Sequence, residues 1–308
     1  MALESKGHLY MGVKILKKRN FYIYITPLFL ILSVFYLIPI LDVFKYSFTD
    51  IRLGENQYSF TFSSYFSVFS DLNFWIMLKT TLLFVFLSII IQIFLGILIA
   101  ALIDEGEKRN LKGTLILRTV VLIAWVIPGV IIGIIWKLFL TEANYGIFNY
   151  YLMLIFGHSF PFLSSQKLAI YSIIVANVWR GTAFSMIMQY GGIKQIPYEL
   201  YEAAGIDGAS GIKKFFYITL PQLKPMIFIN TVLVTIYTFN TFDMIMTLTG
   251  GGPGRSTEVI SLNIYDTIFG KLNLSRGSVL AVILFFINLI ISIFYYKMVI
   301  SKGGVEND

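Results

Sequence analysis

The stretch YEAAGIDGASGIKKFFYITLPQLKP, residues 201–225, decides how this sequence is interpreted, because it is semi-polar in a chain that is otherwise strongly apolar. It holds three lysines, two acidic residues and two prolines, and it lies between two long apolar runs. The 308-residue chain is 57% hydrophobic and only 13% charged, whereas soluble domains carry about 25% charged residues. One soluble core cannot bury so many apolar side chains, so the composition predicts a membrane protein.

Composition and motifs exclude several kinds of site. The chain has no cysteine, so disulfides and thiol chemistry are excluded. Its two histidines, His8 and His158, stand far apart and lack the ligand spacing of a metal site. The phosphate-binding pattern GxxxxGK(S/T) does not occur, so the chain has no P-loop of its own for ATP. The net charge of +7 does not indicate nucleic acid, because the positive residues are distributed by membrane topology.

Six apolar segments are long enough to cross a membrane. A spanning helix needs roughly 20 apolar residues, since each residue rises by about 1.5 Å across a hydrocarbon layer of about 30 Å. The segments are 21–41, 80–103, 119–136, 168–190, 226–248 and 278–296. We therefore predict an all-α membrane protein with six transmembrane helices.

The distribution of Lys and Arg predicts the orientation. An even number of spans puts both chain ends on one side, and the side richer in Lys and Arg is cytoplasmic. The side of the termini, with the loops 104–118 and 191–225, carries 15 of the 24 Lys and Arg residues, against eight on the other side and Arg180 inside a span. This bias places both termini and the polar insert in the cytoplasm. The first span is too long for the apolar region of a cleavable signal peptide.

The spans divide the chain into five parts. These are a basic cytoplasmic N-terminus (1–20), the first transmembrane helix (21–41), an external loop (42–79), a transmembrane core (80–300) that contains the loop 191–225, and a cytoplasmic tail (301–308). Within the external loop, the stretch 58–79 is dense in Phe and Tyr and poor in charge. This composition is typical of a segment that lies at the membrane interface.

The polar insert has the local signals of two short helices joined by a turn. Pro197 suits the first turn of a helix, and Asp207 followed by Gly208 is a turn signal. Ser210 suits the N-cap of a second helix, which Pro221 breaks before the next span. The sequence therefore predicts a helix–turn–helix element of about 25 residues on the cytoplasmic face.

The first of these helices presents two small residues, Ala203 and Ala204, beside one acidic residue, Glu202. Small side chains permit close approach and a single charge directs it, so the helix is shaped for a groove on a partner protein. A connector that packs against its own bundle explains the same pattern, because most loops merely connect elements. These residues alone leave both interpretations open.

The spacing E-A-A, three residues, G, nine residues, I-x-L-P resembles the EAA loop of the membrane subunits of binding-protein-dependent ABC importers. The matching residues are Glu202, Ala203, Ala204, Gly208, Ile218, Leu220 and Pro221. The segments NVWRGTAF (177–184) and FDMIMTLTGGGPGRST (242–257) resemble the carbohydrate branch, which includes maltose, lactose and glycerol-phosphate permeases. The resemblance implies the transmembrane domain of a type I ABC importer.

The resemblance also implies a role and a set of partners. The insert would be a coupling helix that docks on a separate cytoplasmic ATPase through the seven motif residues and Asp207. The partners would be a second, different permease subunit, two ATPase subunits that bind ATP and Mg, and an extracytoplasmic solute-binding protein. This chain would be a transporter subunit for a sugar or oligosaccharide in the lipid of a bacterial cytoplasmic membrane, not an enzyme, with no cofactor of its own.

Two charges inside predicted spans mark a candidate pathway. Arg180 lies in the fourth span and Asp243 toward the outer end of the fifth. Ionisable residues at this depth are costly, so they line a pathway or find a partner. A purely structural role, in which Arg180 and Asp243 form a buried pair or Arg180 reaches an internal water cavity, is the alternative to a pathway role.

One face of the fifth predicted span suits a sugar. Tyr237, Thr238 and Thr241 lie on this face with Val234, and they combine an aromatic ring with hydroxyl groups. A helix–helix contact, in which threonine is common, is the alternative. By resemblance, cavity-lining positions of the maltose permease correspond to this face and to Arg180, Gly181 and Phe184.

Two other classes of protein are weighed against the importer subunit. An ion-coupled secondary carrier or facilitator would show coupling carboxylates at the membrane midplane and internal inverted repeats, but the sequence has one off-centre acid, Asp243, and no evident repeat. An intramembrane enzyme would need a nucleophile with a base, or a metal cluster, and no such constellation stands out. The importer subunit is the leading hypothesis, and the secondary carrier or facilitator is its alternative.

Overall fold

The computed structural model describes residues 18–143 and 146–302, which are almost entirely helical. The α-helices are α1 Lys18–Leu32, α2 Ile38–Ser47, α3 Ser63–Phe69, α4 Leu72–Lys108, α5 Thr114–Val126, α6 Gly129–Leu140, α7 Ile147–Phe156, α8 Gln166–Ile193, α9 Tyr198–Ile206, α10 Gly211–Lys214, α11 Leu220–Gln222, α12 Lys224–Phe239, α13 Asp243–Leu248, α14 Ile260–Tyr265 and α15 Leu274–Lys302. Three π-helical turns are interposed, at Ser33–Leu37, Phe215–Thr219 and Asp266–Gly270. Most of the predicted basic N-terminus and of the predicted tail, and His8, lie outside the described residues.

The described residues provide up to six membrane spans. Four helical runs are long and apolar enough to cross a membrane by themselves: Tyr24–Ser47, Leu72–Lys108, Gln166–Ile193 and Leu274–Lys297. Two bent helix pairs complete the set: Thr114–Val126 with Gly129–Leu140, and Gly211–Gln222 with Lys224–Phe239. Counted this way, the spans follow the predicted order, and the predicted all-α membrane fold is confirmed.

The third predicted span, 119–136, is not one continuous helix. The chain bends by 104° between α5 and α6, and the backbone leaves the helical region at Ile127 and Pro128. Proline lacks an N–H group and disfavours helical angles in the residue before it, so Pro128 accounts for the break. The predicted span therefore consists of a bent pair of helices and not of one helix.

The fifth predicted span, 226–248, is also interrupted. It is preceded by a 64° bend, α12 ends at Phe239, and α13 begins only at Asp243. At the break, Asn240 Nδ2 donates to the Ile236 carbonyl at 2.7 Å and Thr241 Oγ1 donates to the Tyr237 carbonyl at 3.0 Å. Such side-chain bonds compete with the helical ladder. Asp243 therefore begins a short separate helix.

Helices α4 and α8 form the centre of the bundle and approach each other very closely. A Cβ built on Gly96 of α4 would lie 2.5 Å from the Cβ of Ser185 on α8, and one on Gly181 of α8 would lie 2.1 Å from Gln92 Oε1 on α4. Small residues at such contacts let membrane helices pack backbone to backbone. The two helices are therefore locked together along their middle turns.

The external loop predicted at 42–79 is shorter in the structure, because α2 continues to Ser47 and α4 begins at Leu72. Asp71 caps α4: its Oδ1 accepts the N–H of Asn73 at 2.9 Å, and its Oδ2 accepts Arg276 Nη2 at 2.7 Å. The bond from the Asn73 N–H, helped by the Arg276 guanidinium, holds the pKa of Asp71 below its ordinary value. The loop is thereby tied to α15, and its position at the membrane interface stays a prediction.

Candidate functional site

A pocket of about 480 Å³ lies where α4, α5, α8 and α12 meet, beside the break between α12 and α13. All six residues predicted to bind substrate line it: Arg180, Gly181, Phe184, Tyr237, Thr238 and Thr241. The first three come from α8, and the other three come from the end of α12 and the break after it, more than 50 positions later in the sequence, so the fold, and not local spacing, brings them together. Their role in substrate binding stays a prediction.

Three aromatic rings form one wall of the pocket. The ring centroid of Phe184 lies 5.5 Å from that of Trp125 and 5.7 Å from that of Tyr237. Tyr237 is 59% exposed, so its ring has a free face. Such a face offers a flat apolar surface with a polar hydroxyl tip.

The predicted threonines have different hydrogen-bonding capacity. Both Thr238 and Thr241 are buried, and the Thr241 hydroxyl already donates to the Tyr237 carbonyl. Thr241 can therefore only accept a hydrogen bond from a ligand, whereas Thr238 makes no side-chain hydrogen bond with another described residue and can donate or accept. Val234, on the same face, adds an apolar contact.

The pocket also holds a cation and an anion that do not pair. Arg180 and Asp243 both line the pocket, and each is partly buried. Neither side chain makes a hydrogen bond or an ion pair with any residue in 18–143 or 146–302. The pair between Arg180 and Asp243 is therefore not formed, and both residues line the pocket.

Asn177 is a pocket residue that the sequence interpretation missed. Its carbonyl accepts Gln92 Nε2 at 3.3 Å, but its side-chain Nδ2 is buried without a hydrogen-bond partner among the described residues. A buried donor without a partner is costly and marks a place for a ligand or water. The helical spacing of Asn177 and Gly181 was the signal that would have found it. Other lining residues outside the prediction are Gln92, Trp125, Asn240 and Phe242.

The predicted coupling residues lie in a protruding segment, residues 197–222, that we call the coupling element. Helix α9 has no buried residue, and Gly208 follows it with φ +74°, a left-handed conformation that glycine adopts without strain. The Ser210 hydroxyl caps α10 by accepting the N–H of Lys213 at 3.4 Å. Glu202, Ala203, Asp207, Gly208 and Pro221 are exposed, while Ala204, Ile218 and Leu220 are partly buried.

The second helix of this element differs from the prediction. It does not run unbroken to Leu220, because α10 ends at Lys214 and a π-helical turn, Phe215–Thr219, follows. Pro221 lies within the next helical turn and does not end it; the bend comes after Gln222. Proline has no N–H group to donate to the helical ladder, and a wider π turn before it accommodates the missing hydrogen bond.

A charge cluster links the ends of α4, α5 and α8 next to the coupling element. Lys194 Nζ lies 2.6 Å from Asp104 Oδ1 and 2.9 Å from Glu107 Oε2, and Asp104 Oδ2 lies 2.7 Å from Lys108 Nζ. Tyr190 donates to Glu107 at 2.6 Å, and Arg118 lies 3.7 Å from the same carboxylate. We call Asp104, Glu107, Lys108, Arg118, Tyr190 and Lys194 the charge cluster.

The charge cluster raises the pKa of Lys194. Burial lowers the pKa of Lys194, but hydrogen bonds to Asp104 and Glu107 outweigh burial and raise the pKa above its ordinary value. Lys194 therefore stays charged and keeps α8 attached to α4. The sequence interpretation used Lys108, Arg118 and Lys194 only to count positive residues for topology and did not use the other members. The i, i+4 pair of Asp104 and Lys108 was the one local signal of a cluster.

The family model described as "Binding-protein-dependent transport system inner membrane component" matches residues 92–301. The trehalose/maltose transport system permease protein MalF of Thermococcus litoralis is 34% identical over 278 residues, which cover 90% of this chain and 92% of that protein. The sulfoquinovosyl glycerol transport system permease protein SmoG of Agrobacterium fabrum is 30% identical over 280 residues, 90% of this chain and 89% of that protein.

A solved structure supports the same fold. One chain of a bacterial ABC transporter involved in the import of the acidic polysaccharide alginate superposes with a TM-score of 0.79. The match covers 91% of this chain and 96% of that chain at 23% sequence identity. At this identity the likeness establishes a common fold.

Proposed function

Because this chain belongs to the family of binding-protein-dependent transport system inner membrane components, we propose that it is the permease subunit through which an ATP-driven importer passes a carbohydrate. It is a multi-pass membrane protein of the ABC importer permease class. The names of similar permeases, which refer to trehalose, maltose and sulfoquinovosyl glycerol, support a sugar or a sugar derivative as the substrate.

The observation that carries the carbohydrate proposal is the composition of the 480 Å³ pocket. A sugar ring has apolar C–H faces and a rim of hydroxyls. The exposed ring of Tyr237 matches the faces, and Arg180, Asp243 and the buried Nδ2 of Asn177 offer hydrogen bonds that no described residue uses. The pocket has unused donors on Arg180 and Asn177 and an unused acceptor on Asp243, and hydroxyls complement both.

The shape of the coupling element supports a cytoplasmic ATPase as a partner. Glu202 and Asp207 are exposed and make no side-chain hydrogen bond or ion pair with other described residues, and Ile206 between them is 89% exposed. An exposed helix with large hydrophobic side chains, here Tyr198, Leu200 and Ile206, and free carboxylates fits a groove on another protein. In this proposal the ATPase binds ATP and Mg, and this chain supplies no catalytic residue.

The complete importer would hold this chain, a second and different permease subunit, two ATPase subunits and a solute-binding protein on the outer face. We place both termini and the coupling element in the cytoplasm of a bacterial cell, on the basis of the excess of Lys and Arg on that side. The pocket then lies between the solute-binding protein and the ATPases.

Reconstitution tests the proposed function. The chain is purified with the permease and ATPase encoded beside it and placed in proteoliposomes with the neighbouring solute-binding protein. We expect uptake of labelled di- or trisaccharides that requires both ATP and the binding protein. Uptake that needs an ion gradient and no ATP would instead support a secondary carrier.

A further inference from the structure

Tyr201 makes the polar and ring contacts that helix α9 forms with the rest of the described structure. No residue of α9 is buried, and Tyr201 is the one α9 residue whose side chain forms a hydrogen bond or a ring contact with another described residue. A groove of about 790 Å³ lies between α4 and the segment after α9. The polar and ring contacts of α9 with the bundle are therefore concentrated in one side chain.

Two routes lead from Tyr201 into the bundle. The first goes to α4: the ammonium of Lys108 lies 4.2 Å from the centroid of the Tyr201 ring, a cation–π distance. The second goes toward α12: the Tyr201 hydroxyl lies 2.8 Å from the Thr219 hydroxyl, and Thr219 is buried at the end of the π-helical turn that leads into α11 and α12.

The first route reaches α8 as well as α4. Lys108 is held by Asp104, and the other oxygen of the Asp104 carboxylate is held by Lys194 at the end of α8. The Asp104 side chain is only 7% exposed, so water screens these pairs poorly. Helices α4 and α8 are also locked together at Gly96 and Gly181. The Lys108 side chain is therefore connected to both helices.

The two routes end on the walls of the pocket. Gln92 belongs to α4, Arg180 and Phe184 belong to α8, and Tyr237 belongs to α12. We propose that Tyr201 is a positioning residue that passes displacement of α9 to these walls, through Lys108 to α4 and α8 and through Thr219 to α12. This inference rests on the proposed function, because it requires that an ATPase moves α9.

A neighbouring ion pair provides a matched control. Arg109 lies beside Lys108 at the end of α4 and is paired with Glu105 four residues earlier. Their side chains are 68% and 53% exposed, and the pair stays within α4. Removing the Arg109 charge perturbs the same helix end without cutting either route from Tyr201.

The test follows the pocket in the assembled importer, with both permeases and the ATPases in proteoliposomes. Because the chain has no cysteine, Asn240→Cys places a single thiol on this chain at the pocket, where Asn240 is exposed. The measurement is the rate at which a maleimide labels this position without nucleotide and with ATP plus vanadate. Retention of the ATPase and its basal ATP hydrolysis are measured for each variant, which separates coupling from assembly.

The parent protein in this test carries only Asn240→Cys. We expect its labelling rate to differ by about fivefold or more between the importer without nucleotide and the importer with ATP plus vanadate. Tyr201→Leu, which cuts both routes, should reduce this change to about twofold or less with the ATPase still bound. Lys108→Met cuts only the route to α4 and α8 and leaves Asp104 paired with Lys194, so it should give an intermediate response. Tyr201→Phe keeps the ring over Lys108 but loses the bond to Thr219, so it should give an intermediate response. Lys108→Arg and Arg109→Met should respond like the parent.

Three results would overturn the inference in distinguishable ways. If the parent protein responds to ATP and Tyr201→Leu and Lys108→Met respond equally, Tyr201 transmits nothing, and the proposed function stands. If Tyr201→Leu releases the ATPase, Tyr201 is a docking residue. If the parent protein itself shows no response to ATP and no ATP-dependent uptake, the proposed function fails together with the inference.

Discussion

Gly133 on α6 lies directly against Met244 on α13: a methyl group on Gly133 would be 2.5 Å from the carbonyl oxygen of Met244. It would also be 1.9 Å from Thr247 Oγ1, and a methyl group on Gly129 would be 2.0 Å from the carboxylate of Asp243. The two glycines, four residues apart, form the small-residue surface on which α13 rests. This contact holds α13 against α6, next to the break between α12 and α13.

Gly133→Ala should destabilise the protein. A backbone carbonyl cannot move aside as a flexible side chain can, so the added methyl group overpacks the contact and costs about 1–3 kcal/mol. The measurement is the thermal unfolding midpoint in detergent. Gly191→Ala is the matched control, because it adds the same methyl group to α8 with nothing within 4 Å, and it should leave the midpoint unchanged or raise it. Equal midpoints for Gly133→Ala and the parent protein would show that α13 is not held by this contact.

Gly208→Leu should abolish uptake and the stimulation of ATP hydrolysis while the protein reaches the membrane at normal levels. Gly208 has φ +74°, and a Cβ there would meet nothing within 4 Å, so the defect comes from backbone strain in the turn and not from a clash inside this chain. Gly208→Asn is the control, because asparagine tolerates the left-handed conformation. If Gly208→Leu transports normally, the turn is only a connector.

The sequence predicted the membrane fold well because its signal is strong. Runs of about 20 apolar residues have few structural alternatives, and Pro197, Gly208 and Ser210 act within one or two residues of themselves. The breaks were harder to place. The break at Pro128 could have been predicted from the proline itself. The end of α12 depends instead on the side chains of Asn240 and Thr241, which bond to carbonyls one turn earlier. Such bonds compete with the helical ladder, although the apolar content of the segment favours a helix.

The pocket was only partly predictable. Helical spacing grouped Tyr237, Thr238 and Thr241 on one face. Trp125 also lines the pocket, but it belongs to α5, and periodicity within one helix does not predict that another helix packs beside it. The charge cluster was hidden for a similar reason. Asp104 and Lys194 are 90 residues apart, and only the packing of α4 on α8 brings their side chains into contact.

Cysteines at Ser210 and Gln57 should be labelled from opposite sides of the membrane by an impermeant maleimide. Both residues are exposed, and they lie on opposite sides if the spans and the excess of Lys and Arg are interpreted correctly. Ser256 is a poor site for this purpose, because its hydroxyl is buried. In intact cells only the cysteine at Gln57 should react, and reaction at both positions would contradict the six-span topology.

Tyr237→Ala should raise the substrate concentration for half-maximal uptake by roughly ten- to a hundredfold, because it removes a stacking surface and a hydroxyl together worth about 1–3 kcal/mol. Thr238→Val, which removes a buried hydroxyl without changing shape, should cost about tenfold. The readout is uptake at sub-saturating substrate, with ATPase binding as the control, since the coupling element is remote from the pocket. Parental uptake rates in both variants would place this face against another helix.

Arg180→Leu and Arg180→Lys together distinguish a neutral substrate from an anionic one. Arg180 and Asp243 are both unpaired among the described residues and face one pocket, so their charges balance and the pocket favours a neutral sugar over an anion. A guanidinium offers a planar fork of donors, whereas an ammonium offers a point charge.

For a neutral sugar bound through that fork, both variants should weaken uptake to a similar degree. For a phosphorylated or sulfonated sugar, the retained charge should preserve most of the uptake in Arg180→Lys and lose it in Arg180→Leu. The measurement is competition between a neutral disaccharide and its anionic derivative for uptake by each variant. A preference of the parent protein for the anionic derivative that Arg180→Lys keeps and Arg180→Leu loses would refute a neutral substrate and make Arg180 the group that binds the anion.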